Sequence, residues 1–360
     1  MEEWDMKKVF ACVLALMLLA GLAACGGQTA APKQDASPKT EDASPKTEDA
    51  SPKTEDAAPS EAPARTKMEI SVGCGTSSGA GYVTASTVGA LMQTQFPEYY
   101  TCKPEVTTGG AESLRLLAAG DVVLCSAMSD DVVAAYNGER DFQGLTGSLR
   151  YITRGNMTTI QCFAKADLDV DTLADCVGLR VAVTSGTMFN YYWPYLLETY
   201  GLTGDEFKSV ESYATKDAVE AFKNNQIDLI CMVTAVPNNT IQDMAMSDAV
   251  RLLSMSEAER DKIIELQPCF QKTTVPAGSY TTWDKDVETI GVRNIYVCQE
   301  DTDYQMVYDW VKTIDENNDA LRSAHPQAGE YGIRENVLPC QLIPFHQAAE
   351  DYYKEAGLLK

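Results

Sequence analysis

A run of glycine, serine and threonine set between an apolar strand and an amphipathic helix constrains this chain more than any other feature. In MEISVGCGTSSGAGYVTASTVGALMQT, residues 68–94, Ile70 and Val72 open a strand. Gly73, Cys74, Gly75, Thr76, Ser77, Ser78, Gly79, Ala80 and Gly81 then form a loop, and a helix starts near Tyr82. A strand that stops there frees its backbone amides and hands over to a helix N-terminus, where the helix dipole favours negative charge. A second corner of this kind follows in LRVAVTSGTMFNYYWPYLLETYGL, where strand 179–184 meets Ser185, Gly186 and Thr187 and then a helix. Two anion-binding corners predict a two-lobed receptor with its ligand between the lobes.

From Met68 onward strands and helices alternate. Strands are expected at 68–73, 103–107, 121–126, 159–165, 179–184, 208–213, 226–233 and 288–297. Helices are expected at 82–94, 111–119, 130–137, 188–200, 215–223 and 239–246, with a mostly helical tail from Asp303. Two βαβ sets joined by two long strands make two α/β lobes, each a mixed sheet flanked by helices, with crossover strands near 160–164 and 292–297. Lobe I is expected to span 68–161 and 296–360, and lobe II 162–295.

The net charge is −23, of which all but three charges fall after residue 67, so the folded part is itself acidic. Such a field argues against nucleic acid and against an anionic membrane face as partners. It also repels anionic ligands, so an anion site here must be local, built of amides and dipoles and screened beyond about 8 Å.

MKKVFACVLALMLLAGLAAC reads as a secretory signal, residues 1–24, with Lys7 and Lys8 as its positive region and 9–22 too short to span a membrane comfortably. Glu2, Glu3 and Asp5 interrupt that positive region, which favours Met6 as the start. Leu22-Ala23-Ala24-Cys25-Gly26 resembles the lipobox of bacterial lipoproteins, in which the cysteine is diacylated and becomes the mature N-terminus. Two acyl chains suffice for stable anchoring, so the expected location is outside the cytoplasmic membrane, tethered at Cys25. Residues 25–67 carry DASPKTE three times, from Asp35, Asp42 and Asp49, with no apolar face at any period. They read as a disordered spacer that floats the folded part about 35 Å from its anchor.

Gly75-Thr76-Ser77-Ser78-Gly79 spells G-x-S-x-G between a strand and a helix, the setting of a hydrolase nucleophile. With a later Asp and His346 it would give a serine esterase, the rival reading from another class. Against it, no earlier loop supplies a second oxyanion donor, and only two histidines exist, His325 lying before Pro at a helix end. The loop is not a nucleotide fingerprint, since neither the third glycine nor the lysine is in place. Eleven cysteines include Cys12 in the signal and Cys25 at its end; the nine others form no C-x-x-C, and Cys125, Cys231 and Cys298 lie in apolar runs as free core thiols, with one or two disulfides left open. Neither a metal nor a cofactor is expected. Of the aromatic cluster Tyr191, Tyr192, Trp193 and Tyr195, about half is expected in the core, and the residues nearest Ser185 could wall a cleft, as could Tyr82 in lobe I.

Several blocks in order resemble the TAXI family of solute receptors for TRAP (tripartite ATP-independent periplasmic) transporters: ISVGCGTSSGAGY, TTGGAESLRLLAAGDVVL, SDDVVAAYNG, LRVAVTSGT, DAVEAFKNNQIDLICMVTAVPNNTI, VPAGSYTTWDKDVETIGV, AHPQ and LPCQLIPFHQAAEDYYKEAGL. The usual loop is richer in glycine and has an aromatic directly after it, whereas here Gly81 precedes Tyr82. The resemblance implies a type II periplasmic-binding-protein fold without catalysis. It implies capture of a small organic anion (an amino acid such as glutamate, a dicarboxylate or a 2-oxo acid) by a monomer that delivers it to a TRAP-type permease. A receptor for an ATP-driven importer or a sensor would use the same fold and anchor. In doubly wound sheets the ligand sits beyond the strand C-termini at the switch point. That selects the loop 75–78 and residues 126–130, with 108–110 alongside, in lobe I, and Ser185, Gly186, Thr187 and the turn 234–238 in lobe II. The expected ligand-binding residues are Gly75, Thr76, Ser77, Tyr82, Gly110 and Ser129 in lobe I, and Ser185, Gly186, Thr187, Asn190 and Asn238 in lobe II. Ser185-Gly186-Thr187 is expected to grip a carboxylate, Asn238 a second polar end, and Thr76 and Ser77 to close from the other lobe. No arginine lies in a motif loop, so recognition by amides rather than guanidinium is expected, with Arg154, Lys272 and Arg293 in reserve.

Overall fold

A computed structural model describes residues 65–359, with the exception of 78, 143, 248–249, 282 and 332–340. The signal segment, Cys25 and the DASPKTE repeats lie outside the described residues. Alternation of strand and helix holds from the first strand. Lobe I opens with β1 (Met68–Gly73), α1 (Ala80–Gln95), β2 (Tyr100–Glu105), α2 (Gly110–Ala119), β3 (Leu124–Met128) and α3 (Ser129–Asn137). The chain crosses on β4 (Leu149–Lys165) into β5 (Arg180–Thr184), α4 (Trp193–Tyr200), β6 (Ser209–Tyr213), α5 (Thr215–Lys223), β7 (Leu229–Thr234) and α6 (Asn239–Ser247). After β8 (Val250–Leu252), α7 (Glu257–Leu266) and β9 (Phe270–Val275), it returns on β10 (Val287–Gln299) to α8 (Tyr304–Glu316), α9 (Asn318–Ala324) and α10 (Gln347–Glu355).

The sheet order β2-β1-β3-β10-β4-β7-β5-β6 is close to a palindrome. In lobe I the parallel set β2-β1-β3 is closed by antiparallel β10, and in lobe II the parallel set β6-β5-β7 is closed by antiparallel β4. Each lobe is thus an α/β unit whose last strand comes from the other crossover, the arrangement of a type II periplasmic-binding-protein fold.

Burial follows the same division. One core runs from Ile70 to Ile152 and resumes from Ile295 to Tyr353, with Trp310 and Tyr296 fully enclosed. In lobe II a core around Val181, Tyr192 and Phe270 and another around Phe163, Phe222 and Met244 are formed by other residues of the chain.

The crossover strand is longer than 159–165: β4 begins at Leu149. Its first part pairs with β10, and from Thr159 it pairs with β7. Its partner β10 pairs with β9 through Val292 and with β3 from Asn294, with a register shift between Arg293 and Ile295. The handover therefore lies around 155–158 and 293–294, upstream of the expected 160–164 on the first strand. Gly155 marks it, because a Cβ there would stand 2.6 Å from the Tyr331 ring and 2.7 Å from the Asn294 carbonyl oxygen. Elements β8, α7 and β9 were absent from the expected order; their readable signal is the Ser256–Glu259 capping box that starts α7.

Candidate functional site

A cavity of about 610 Å³ lies where the two lobes and the crossover strands meet. Lobe I contributes the loop between β1 and α1 (Cys74, Gly75, Thr76, Gly79, Ala80, Gly81), the start of α2 (Gly109, Gly110), and Ser126 and Met128 of β3. Lobe II contributes the turn between β7 and α6, from Thr234 to Asn239. Asn156 and Thr158 of β4 and Asn294 of β10 also line it, as do His325, Pro326, Gln327 and Tyr331. Among the described residues no aspartate, glutamate, lysine or arginine lines it.

The lobe I loop is held open by its own bonds. Gly75 N–H donates to Thr107 Oγ1 at 3.0 Å, and Gly79 N–H to the Thr76 carbonyl at 2.9 Å. Helix α1 then opens without a side-chain cap and without an acidic residue in its first turn. Among the described residues the N–H groups of Ala80 and Gly81 have no hydrogen-bond partner, so donors and dipole remain available at the cavity wall. Cys74 is buried and its Sγ donates to the Val72 carbonyl; burial pushes its thiol up to about 12, so it acts as an apolar packing group.

Between the lobes, side-chain amides and hydroxyls form a satisfied network. Tyr331 donates its hydroxyl to Asn156 Oδ1 at 3.0 Å and stands 3.1 Å from Ser126 Oγ. Asn294 Nδ2 donates to Thr158 Oγ1 at 3.3 Å, which donates to the Val292 carbonyl at 3.1 Å. His325 Nδ1 accepts the Gln327 N–H at 3.1 Å, which leaves Nε2 as the ring nitrogen that carries hydrogen. These crossover and C-terminal residues were missed from sequence; the Ala-His-Pro-Gln block was the one signal pointing at part of them.

The expected site residues separate into two sets. Gly75, Thr76, Gly110 and Asn238 are brought together around this cavity. Asn238 is partly committed: its Oδ1 accepts the N–H groups of Thr240 and Ile241, capping α6, and its Nδ2 donates to Thr234 Oγ1 at 2.9 Å. One Nδ2 hydrogen remains for a ligand. Ser77 is exposed on the same loop, Tyr82 packs against the lobe I core, and Ser129 is buried at the start of α3. Ser185, Gly186, Thr187 and Asn190 are not among the residues lining the cavity. Ser185 donates its N–H to the Tyr213 carbonyl at 2.7 Å, and Asn190 its N–H to the Gly186 carbonyl at 2.9 Å.

The element after that second corner turns to lobe I instead. Tyr192 donates its hydroxyl to Asp130 Oδ1 at 2.7 Å, and the Arg140 guanidinium lies 3.8 Å over the Tyr191 ring. Arg140 also pairs with Asp130 at 3.0 Å and with Asp131. Burial and the neighbouring Asp130 raise the Asp131 carboxyl above its usual range, against the opposing pull of Arg140. Of the aromatic cluster, Tyr192 and Trp193 are buried, and Tyr191 and Tyr195 half-buried against the same core.

Two of the three reserve cations are placed elsewhere too. Lys272 pairs with Glu257 and Asp261, and Arg154 Nε donates to the Glu330 carbonyl. The hydrolase reading fails on His346. It is buried, burial lowers its pKa, its Nδ1 accepts the Ala348 N–H at 3.3 Å and its Nε2 stands 3.0 Å from the Thr302 carbonyl. Both ring nitrogens are engaged at the start of α10, and among the described residues neither histidine bonds Ser77. The eight described cysteines are all free. Among the described residues no helix is long and apolar enough to cross a membrane.

Comparison with known proteins places this geometry in context. Residues 72–357 match the NMT1-like family. Similar solved structures include XAC2383 from Xanthomonas citri bound to ATP, at 12% identity and a TM-score of 0.47 over 81% of this chain and 96% of that one. The periplasmic aliphatic sulphonate binding protein SsuA from Escherichia coli matches at 13% identity and 0.46, over 81% and 88%. A putative L-cystine ABC transporter from Listeria monocytogenes matches at 11% identity and 0.42, over 73% and 98%.

Proposed function

The chain belongs to the NMT1-like family, and from that premise and the cleft we propose that it is an extracytoplasmic receptor that captures a small organic anion between its lobes without transforming it. The observation that carries this reading is the composition of the cavity: a strongly acidic body encloses a space walled by main-chain N–H groups, side-chain amides and hydroxyls, with no charged side chain among the described lining residues. An anion entering it leaves the acidic field of the surface for a place where only dipoles meet it. Burying a charge is costly unless its oxygens are paired. Hydrogen bonds to a charged group contribute about 1.5–3 kcal/mol each, and three or four such bonds are enough for micromolar affinity, about 8 kcal/mol.

The uncapped start of α1 offers N–H groups to one carboxylate, and Thr76 adds a hydroxyl. The remaining Nδ2 hydrogen of Asn238 and the Nε2–H of His325 suit a second polar end. Glutamate, a short dicarboxylate and a 2-oxo acid all present that pattern. Closure takes place about the handover points on β4 and β10, where each strand changes partner. Delivery to a TRAP-type permease rests on the ordered sequence blocks, and membrane attachment through Cys25 on the Leu-Ala-Ala-Cys-Gly segment.

Thermal denaturation with glutamate, succinate and 2-oxoglutarate, against glutamine as the neutral control, tests the reading. Ligand at a hundred times its Kd stabilises by about 2.7 kcal/mol, a rise in Tm of about 4 °C for a chain of this size. At least one of the acids is expected to give such a rise, and Asn238→Asp, which keeps the helix cap but puts a carboxylate into the cavity, is expected to remove it. No rise with any acid, or an undiminished rise in Asn238→Asp, overturns the proposal.

A further inference from the structure

A second chamber, of about 310 Å³, adjoins the cavity just described; Val236, Pro237 and Gln327 line both. Its chemistry is different. Where the first is free of charged groups, this one is lined by Arg293 and Glu330, with the hydroxyls of Thr159, Thr273 and Ser279 around them. Arg293 lies on β10 at the handover and is held from three sides. Its Nε donates to Gln271 Oε1 at 3.2 Å, and its Nη1 to the Gly155 carbonyl at 3.1 Å and to Glu330 Oε2 at 3.2 Å. Among the described residues Nη2 has no partner. Glu330 is anchored in turn by the Met157 N–H at 2.9 Å on its Oε2.

We propose that this chamber is a second subsite, taking the far carboxylate of an elongated two-headed solute whose near head sits in the first cavity. The inference deepens the receptor reading and rests on it. Three observations carry it. The two spaces have Val236, Pro237 and Gln327 in common, so they lie side by side at the Val236–Pro237 turn. The guanidinium is fixed by side-chain and main-chain acceptors while keeping the two N–H donors of Nη2, the preorganised geometry that suits a carboxylate. The acid beside it is already committed to Arg293 and to a backbone N–H, so the chamber offers donors rather than a site for a cation. In this arrangement main-chain and side-chain amides read the near head, and Arg293, one of the reserve cations of the sequence, reads the far one.

Titration calorimetry of the full-length chain with succinate, glutarate, adipate, pimelate and suberate tests this, each diacid being paired with the monocarboxylate of equal length. Affinity is expected to rise about ten-fold or more from succinate to the best-fitting longer diacid, the effect of one charge-assisted pair. The matching monocarboxylate is expected to show no such gain. Arg293→Met and, separately, Ser279→Phe, which fills the chamber without touching the ion pair, are each expected to erase the length dependence. Ser279→Phe decides the matter should Arg293→Met fail to fold. Equal affinity for short and long diacids, or a preference for long ones that survives Ser279→Phe, overturns the second subsite and leaves the receptor reading standing. If no diacid binds and glutamate and 2-oxoglutarate are also without effect, the receptor reading falls and the subsite with it.

Discussion

The two corners that look alike in sequence end in different places. In lobe I the turn after β1 lines the cavity with free N–H groups at the start of a regular helix. In lobe II the turn after β5 runs into a π-helical segment, Met188–Tyr192, whose Tyr191 and Tyr192 meet Arg140 and Asp130 of lobe I. The lobe II wall of the cavity comes from the turn after β7 instead, where Asn238 caps α6. A small-residue turn supplies the capacity to bind, and the contacts of the helix behind it decide what the turn faces.

The largest effect should come from cutting the contact that sets lobe II's corner apart. Arg140→Met leaves Asp130 and Asp131 buried without their cation, a loss of about 3–5 kcal/mol in urea unfolding at neutral pH. A loss below about 1 kcal/mol would mean that the network does not hold the lobes. The same network has a pH signature. Because the folded-state pKa of Asp131 is raised, the native chain binds more protons than the unfolded one, and its contribution is full below about pH 4 and lost as pH rises toward neutrality. Asp131→Asn should flatten that decline, seen as stability at about pH 5 and about pH 7.5 converging.

A smaller effect distinguishes the two turns themselves. At Gly81 an added Cβ would stand 2.9 Å from the Cys74 carbonyl oxygen, a backbone atom that cannot swing away. Gly81→Ala should cost about 1–3 kcal/mol and displace the N–H groups at the cavity, weakening anion binding as well. At Gly186 nothing lies within 4 Å, but φ is +83°, so Gly186→Ala pays only the left-handed backbone term of about 1 kcal/mol. Its ligand-induced rise in Tm should match that of the parent chain. Loss of that rise in Gly186→Ala alone would restore the second corner to the site and break the contrast drawn here.

How much of this was readable varies by element. Strand–helix alternation from Met68 to α6 is carried by apolar periodicity, which a chain cannot satisfy in any other way once one face must be buried, so the order of elements was legible. The long first part of β4 was not, because polar Arg154, Asn156 and Thr158 interrupt the pattern where the strand passes between lobes. Of these, Asn156 and Thr158 turn out to floor the cavity. Asn238 was legible as a cavity residue but not as a cap, since capping depends on where α6 begins. Asn294 and Tyr331 could not be found by local reading, as they reach the cavity from segments far along the chain from the loop after β1.

By itself, then, the sequence determined the parts: two α/β halves, an acidic body, a loop of small residues able to present main-chain donors, and core thiols with no metal-ligand spacing. Those follow from local physics, the burial of periodic apolar faces and the freeing of amides where a strand ends. Only the tertiary structure decided which donors share a space, because β4 and β10 trade partners between lobes and the residues at that exchange are brought together by pairing across the whole chain. Facing is a property of packing between elements, and no residue carries it alone.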